Sequence, residues 1–241
     1  MYCVFVWRCS PSGVAILGWR GQNYRVMLRI ETIPVTLFAQ NARILWDTER
    51  KVAVAVDPGG ESQLLKKFLD RNALKLEEIW LTHSHVDHVG GVKALQDATG
   101  ASLVGHQVEA PMRAAVPQIC MMFGVPRDGF DVCPEPDLYL AGGETLNFAG
   151  RQFQVHFTPG HSPGHLAFYC PSEGFVLSGD LLFQGSVGRT DLPGGNHDVL
   201  LKSIAKLIKQ LPPETAVLSG HGPDTTLAME IEQNPFLKGV R

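Results

Sequence analysis

The segment LTHSHVDHVGG, Leu81 to Gly91, constrains the fold more than any other part of this chain. It places His83, His85, Asp87 and His88 within six positions, although the 241 residues contain only nine histidines. Gathering so many ionisable groups at one strand end is costly unless a cation compensates them. Imidazole and carboxylate are good ligands for a borderline divalent ion, so the segment reads as a metal site. Alternate residues of an extended segment point the same way, which lets His83 and His85 reach one ion. Asp87 and His88, beyond the bend, then reach a second.

Two ions need further ligands, and three candidates close apolar runs: His161 in TPGHSPGH, Asp180 in LSGD and His221 in LSGHGP. A carboxylate between two cations bridges them, which is the role expected of Asp180. His161 completes the first site and His221 the second. An open position remains for water, the mark of a catalytic site, with Asp87 and Asp180 as its carboxylates. His106, His156 and His197 stand alone and read as ordinary surface or core histidines, whereas His165 reads as a partner of the ligands.

The remaining pattern supplies a scaffold for such a rim. Strands are expected at Ile33 to Phe38, Ala42 to Trp46, Val52 to Val56 and Glu78 to Leu81, and a helix through ESQLLKKFLDRNA. Another helix is expected from near Val89, and the stretch from Glu109 to Pro136 as irregular with one short helix. ETLNFAG, RQFQVHFTPG, HLAFYCP and GFVLSGD read as short strands of a second, antiparallel-leaning sheet. A helix follows at Asp198 to Leu211, with Asn196 as its cap. TAVLSGHGP gives a last strand, and Thr225 to Gln233 a last helix. The order strands, helices, strands, helices predicts an α/β (α+β) sandwich of two sheets with outer helices.

Composition limits the function classes. With 24 acidic and 21 basic residues and a net charge of −3, the chain shows no electrostatic footprint for nucleic acid or an anionic membrane. No apolar run approaches the roughly 18 residues of a membrane span. The five cysteines, Cys3, Cys9, Cys120, Cys133 and Cys170, lack CxxC spacing, which argues for a reducing, cytoplasmic setting rather than a disulfide framework. Before Met27 the only charges are Arg8, Arg20 and Arg25, without clear periodicity. Residues 1–26 are therefore read as a poorly ordered extension, with a targeting peptide as the alternative, and residues 27–241 as the folded domain.

The motif T-H-S-H-V-D-H, with later P-G-H, S-G-D and S-G-H, resembles the metallo-β-lactamase fold superfamily. IPVTLFAQN, VDPGG, TPGHSPGH, GDLLFQGSVGRTDLPGG and GHGPDTT with QNPFL resemble its glyoxalase II-like hydroxyacylglutathione hydrolases of the short bacterial type. The resemblance implies a four-layer αββα sandwich and a dinuclear site, with zinc as the default metal and iron or manganese as alternatives. It also implies hydrolysis of a small-molecule glutathione thioester, S-D-lactoylglutathione, by a hydroxide held between two cations. Longer members carry a C-terminal helical domain that helps bind glutathione, whereas 20 residues follow His221 here. Arg189 is a candidate for a substrate carboxylate, with an ion pair to Asp191 as the competing role. A mononuclear iron persulfide dioxygenase is the alternative activity, since its members share the ligands and a G-R-T-D stretch.

Overall fold

The computed structural model describes residues 28–124 and 130–239. The expected extension at residues 1–26 lies outside them. The first sheet runs through β1 (Leu28–Val35), β2 (Gln40–Asp47), β3 (Val52–Val56), β4 (Lys75–Trp80), β5 (Ser102–Gly105) and β6 (Leu138–Tyr139), neighbours in that order. Its first three strands are antiparallel, and from β3 onward the pairing is parallel. Parallel neighbours need crossovers. Helix α1 (Ser62–Arg71) joins β3 to β4, while α2 (Val86–Val89) and α3 (Val92–Thr99) join β4 to β5. Helices α4 (Ala110–Ala114) and α5 (Val116–Phe123) precede β6.

The second sheet contains β7 (Thr145–Phe148), β8 (Arg151–Phe157), β9 (Leu166–Cys170) and β10 (Phe175–Gly179). A hairpin of β11 (Leu182–Phe183) and β12 (Ser186–Val187) leads to α6 (His197–Gln210), β13 (Ala216–Ser219), β14 (Thr225–Thr226) and α7 (Leu227–Gln233). The sheet order is β14-β13-β10-β9-β8-β7, antiparallel except where β10 meets β13.

Period-two alternation builds the layers. On β3, Val54 and Val56 face the space between the sheets, whereas Ala53 and Ala55 face α1 and α3. On β9, Leu166 and Phe168 face the inter-sheet core, while Ala167 and Tyr169 meet Leu200 and Ile204 of α6. Trp80 centres that inter-sheet core, with its ring 5.0 Å from Phe153 and 5.3 Å from Phe168. Each fully buried phenyl there contributes about 1.5–3 kcal/mol. Three apolar seams separate four layers, helices, sheet, sheet, helices, which is the expected αββα sandwich.

Several boundaries differ from the sequence reading, each for a local reason. The first strand spans Leu28–Val35, not Ile33 to Phe38, because Thr36 and Ala39 turn the chain through left-handed φ values of 64° and 51°. The helix expected near Val89 begins at Val86, inside the histidine motif, and is interrupted at Gly90 and Gly91. The stretch from Glu109 holds two helices rather than one, since Pro111 and Pro117 occupy first-turn positions that tolerate a missing N–H. Asn196 does cap α6, its side chain accepting the Val199 N–H at 3.0 Å. Among the described residues no helix is long and apolar enough to cross a membrane.

Candidate metal centre

The carboxyl ends of β3, β4, β10 and β13, together with the β8–β9 turn, open onto one rim of the sandwich, where loops of α/β sheets commonly carry chemistry. The rim is fixed by backbone bonds that cross between elements. Leu166 N donates to Thr82 O at 2.7 Å, Gly220 N to Gly179 O at 2.8 Å and Asn41 N to Gly220 O at 2.7 Å. Gly220 has to be glycine, because a Cβ there would fall on Asp180 Oδ1.

Two donor pockets converge on this rim. His83 Nε2, His85 Nδ1 and His161 Nε2 lie 2.8–3.2 Å from one another. Beside them, His221 Nε2 stands 3.1 Å from Asp87 Oδ2 and 3.3 Å from His88 Nε2. Asp180 faces both pockets: Oδ1 is 3.3 Å from His88 Nε2, and Oδ2 is 3.5 Å from His161 Nε2 and 3.6 Å from His221 Nε2. The structure thus brings all seven residues expected to bind metal to one place.

The outer nitrogens explain the orientation. His83 Nδ1 lies 3.0 Å from Thr82 Oγ1, His88 Nδ1 3.0 Å from Asp57 Oδ2, His161 Nδ1 2.7 Å from the Arg189 carbonyl and His221 Nδ1 3.0 Å from the Phe38 carbonyl. A carbonyl or carboxylate on one ring nitrogen fixes the tautomer that turns the other nitrogen's lone pair inward. Asp57 also accepts from Thr82 N at 2.7 Å and from Thr82 Oγ1 at 2.6 Å. It therefore serves His88 directly and His83 through Thr82. Its carboxylate lies close to His83 and His88, but these bonds aim it at their outer nitrogens, so it is a brace and not a ligand.

His165 plays a comparable part. Its Nε2 accepts from the Asp180 backbone N–H at 3.2 Å while its Nδ1 meets Thr158 Oγ1 at 2.8 Å, and burial holds it neutral. Of the three histidines read as ordinary, His106 accepts the Val108 N–H and stacks on Phe157, and His156 lies beside Tyr169. His197 begins α6.

Electrostatics divide the pockets. Burial and the neighbouring imidazoles push His83 well below its ordinary value. Burial likewise takes His85 down to about 3 and lowers His161. These three imidazoles are neutral lone-pair donors. Burial also acts to discharge His88, but the carboxylates of Asp180 and Asp87 outweigh it and raise His88 well above 6.5. His221 rises too, through Asp87 and Asp180 against burial. Burial works to raise Asp180 and Asp87, yet the facing histidines hold both below the usual carboxylate range.

This donor set fits divalent cations. Three neutral lone pairs facing one another repel unless something positive lies among them, and beyond its 3.3 Å contact with His88 Nε2 the buried Asp180 Oδ1 makes no hydrogen bond. A zinc–nitrogen bond of about 2.0–2.1 Å places tetrahedral donors roughly 3.3 Å apart, close to the spacings found here.

Arg189 meets the cluster through its backbone. Its carbonyl holds His161, while its exposed guanidinium makes two bonds to Asp191, at 2.8 and 2.7 Å. Sequence reasoning missed Asp57 and Glu109. The first had a signal, an acidic residue closing the strand before PGG. The second had none, since it sits in the stretch without clear periodicity.

Residues 35–221 match the family model of the metallo-beta-lactamase superfamily. The hydroxyacylglutathione hydrolase GloC of Haemophilus influenzae is 37% identical over 213 residues, covering 87% of this chain and 98% of GloC. The crystal structure of the B3 metallo-beta-lactamase BLEG-1 is 39% identical with a TM-score of 0.80, over 87% of this chain and 100% of that one. TTHA1623, crystallised in a di-iron-bound form, is also 39% identical, with a TM-score of 0.77 over 86% of this chain and 100% of that one. With its histidine and aspartate cluster at the shared rim of two sheets, the chain belongs to the metallo-β-lactamase superfamily.

Proposed function

We propose that this protein is a dinuclear metal-dependent thioester hydrolase acting on S-D-lactoylglutathione or a related glutathione thioester. The observation that carries this reading is the pair of adjoining donor pockets that share Asp180, in a chain whose similarity to GloC spans nearly all of that hydrolase. His83, His85 and His161 would hold one ion, and Asp87, His88 and His221 the other, with Asp180 between them. Zinc suits the imidazole-rich set, and the likeness to a di-iron form makes iron the first alternative. A pair of cations bound there supplies a lowered pKa for water and a Lewis acid toward a carbonyl oxygen.

The chain's own residues prepare that chemistry. Thr82 and the Arg189 carbonyl orient His83 and His161, and His165 fixes the Asp180 backbone, so the donors are set before substrate arrives. Cys133 and Cys170 give thiolate catalysis no support. Burial raises Cys133 to about 12 and Cys170 above its ordinary value, leaving neither as a ready nucleophile. Water is therefore the nucleophile of this reading, and the thiolate released from the thioester needs no strong acid to leave.

Purified protein should hydrolyse S-D-lactoylglutathione, lose that activity on chelation and regain it with zinc. Cleavage of nitrocefin without thioester turnover would instead favour the β-lactamase likeness. Oxygen uptake with glutathione persulfide by protein carrying one iron, and no thioester turnover, would favour the dioxygenase.

A further inference from the structure

Glu109 is a fully buried carboxylate, 1% exposed, that belongs to neither donor pocket. It follows β5 in a short 3-10 turn, Gln107–Glu109, and reaches two loops at once. Its Oε2 accepts the Ser84 N–H at 2.8 Å, and its Oε1 accepts the Gly164 N–H at 2.5 Å. Ser84 lies between His83 and His85 in sequence, and Gly164 lies in the turn that carries His161. These are the loops that supply the three imidazoles of the first pocket, and they come from different sheets.

The approach is close enough to dictate sequence. A Cβ on Gly164 would meet Glu109 Cγ at 2.7 Å and Oε1 at 2.9 Å, so glycine is needed for the turn to reach the carboxylate. Burying a carboxylate is costly unless it is well bonded, and here both oxygens accept backbone donors. The second pocket has a different brace. Asn41 Nδ2 bonds the carbonyls of Ser219 and Gly222, and Arg43 bonds Ser219 O and Asp224, holding the loop of His221 from β2.

We propose that Glu109 is a positioning residue that sets the spacing of His83 and His85 against His161, and thereby tunes the metal affinity of the three-histidine pocket independently of its neighbour. This rests on the metal-binding reading above. Replacing the carboxylate by an amide keeps its size but offers only one acceptor to two N–H groups. The expected loss is about 10–100-fold in affinity, as for other residues that orient metal ligands.

The test is zinc binding by chelator competition on the full chain in two backgrounds. In His221→Ala, which retains the first pocket, E109Q should weaken zinc binding by about 10–100-fold. In His85→Ala, which retains the second, E109Q should leave the remaining affinity within about threefold. Equal losses in both backgrounds, or no loss in either, would overturn the proposal. Absence of zinc binding by the parent protein would overturn the metal reading itself, a separate outcome. Thermal unfolding of each metal-free variant checks that the fold persists. Should E109Q not fold, E109D keeps the charge, withdraws it by one methylene and is expected to show the same selectivity.

Discussion

The two donor pockets lie side by side, yet their protein groups behave in opposite ways. In the first, three imidazoles face one another, and burial with mutual repulsion drives them towards neutrality. In the second, the carboxylates of Asp180 and Asp87 outweigh burial and raise His88 and His221, so protons are held more tightly there. A cation entering the first pocket meets lone pairs already free. One entering the second competes with protons held more tightly, so its binding is the more sensitive to acid. Two adjoining donor sets, one all imidazole and one mixed with a carboxylate, thus respond to acid in different ways.

The largest effect on this contrast is expected where one residue serves both pockets. Asp57 braces His88 directly and His83 through Thr82, so Asp57→Asn should weaken zinc at both pockets by about 10–100-fold, measured by chelator competition. A loss confined to the second pocket would show that Thr82 holds His83 without help from Asp57.

A smaller effect concerns pH in the metal-free protein. His85 is held at about 3 when folded against 6.5 ordinarily, so between these values the unfolded chain binds the extra proton and acid favours unfolding. The slope is about 1.4 kcal/mol per pH unit for one such group. His221 has the opposite sign: its folded value is raised, so its stabilisation is complete below 6.5 and is lost as pH rises through that raised value. Urea unfolding in chelator should show His85→Ala losing less stability than the parent below pH 6.5. His221→Ala should lack the decline above it. Parallel changes in both variants would erase the distinction between the pockets.

Much of the rim was legible in the sequence because its candidate ligands end apolar runs. HxHxDH, and the lone His161, Asp180 and His221 after strand-like stretches, mark positions where a strand stops and a loop begins. The apolar runs of β3 and β9 were likewise legible as strands, and their near-continuous apolar character fits burial on both faces. What stayed hidden was contact between distant segments. Glu109 carries no local pattern, and only the fold brings it against Ser84 and Gly164. Arg43 looks like any strand arginine until β2 places it against Ser219 and Asp224. The start of α2 inside the motif was missed because Val86 to Val89 is too short to show a helical period.

The most direct measurement is metal content per chain in the parent protein and in His85→Ala, His221→Ala and Asp180→Ala, each reconstituted with zinc and freed of excess. Two adjoining pockets sharing Asp180 predict two ions in the parent, one in each histidine variant and fewer than one in Asp180→Ala. A single ion in the parent that is lost equally in all three variants would contradict the dinuclear centre.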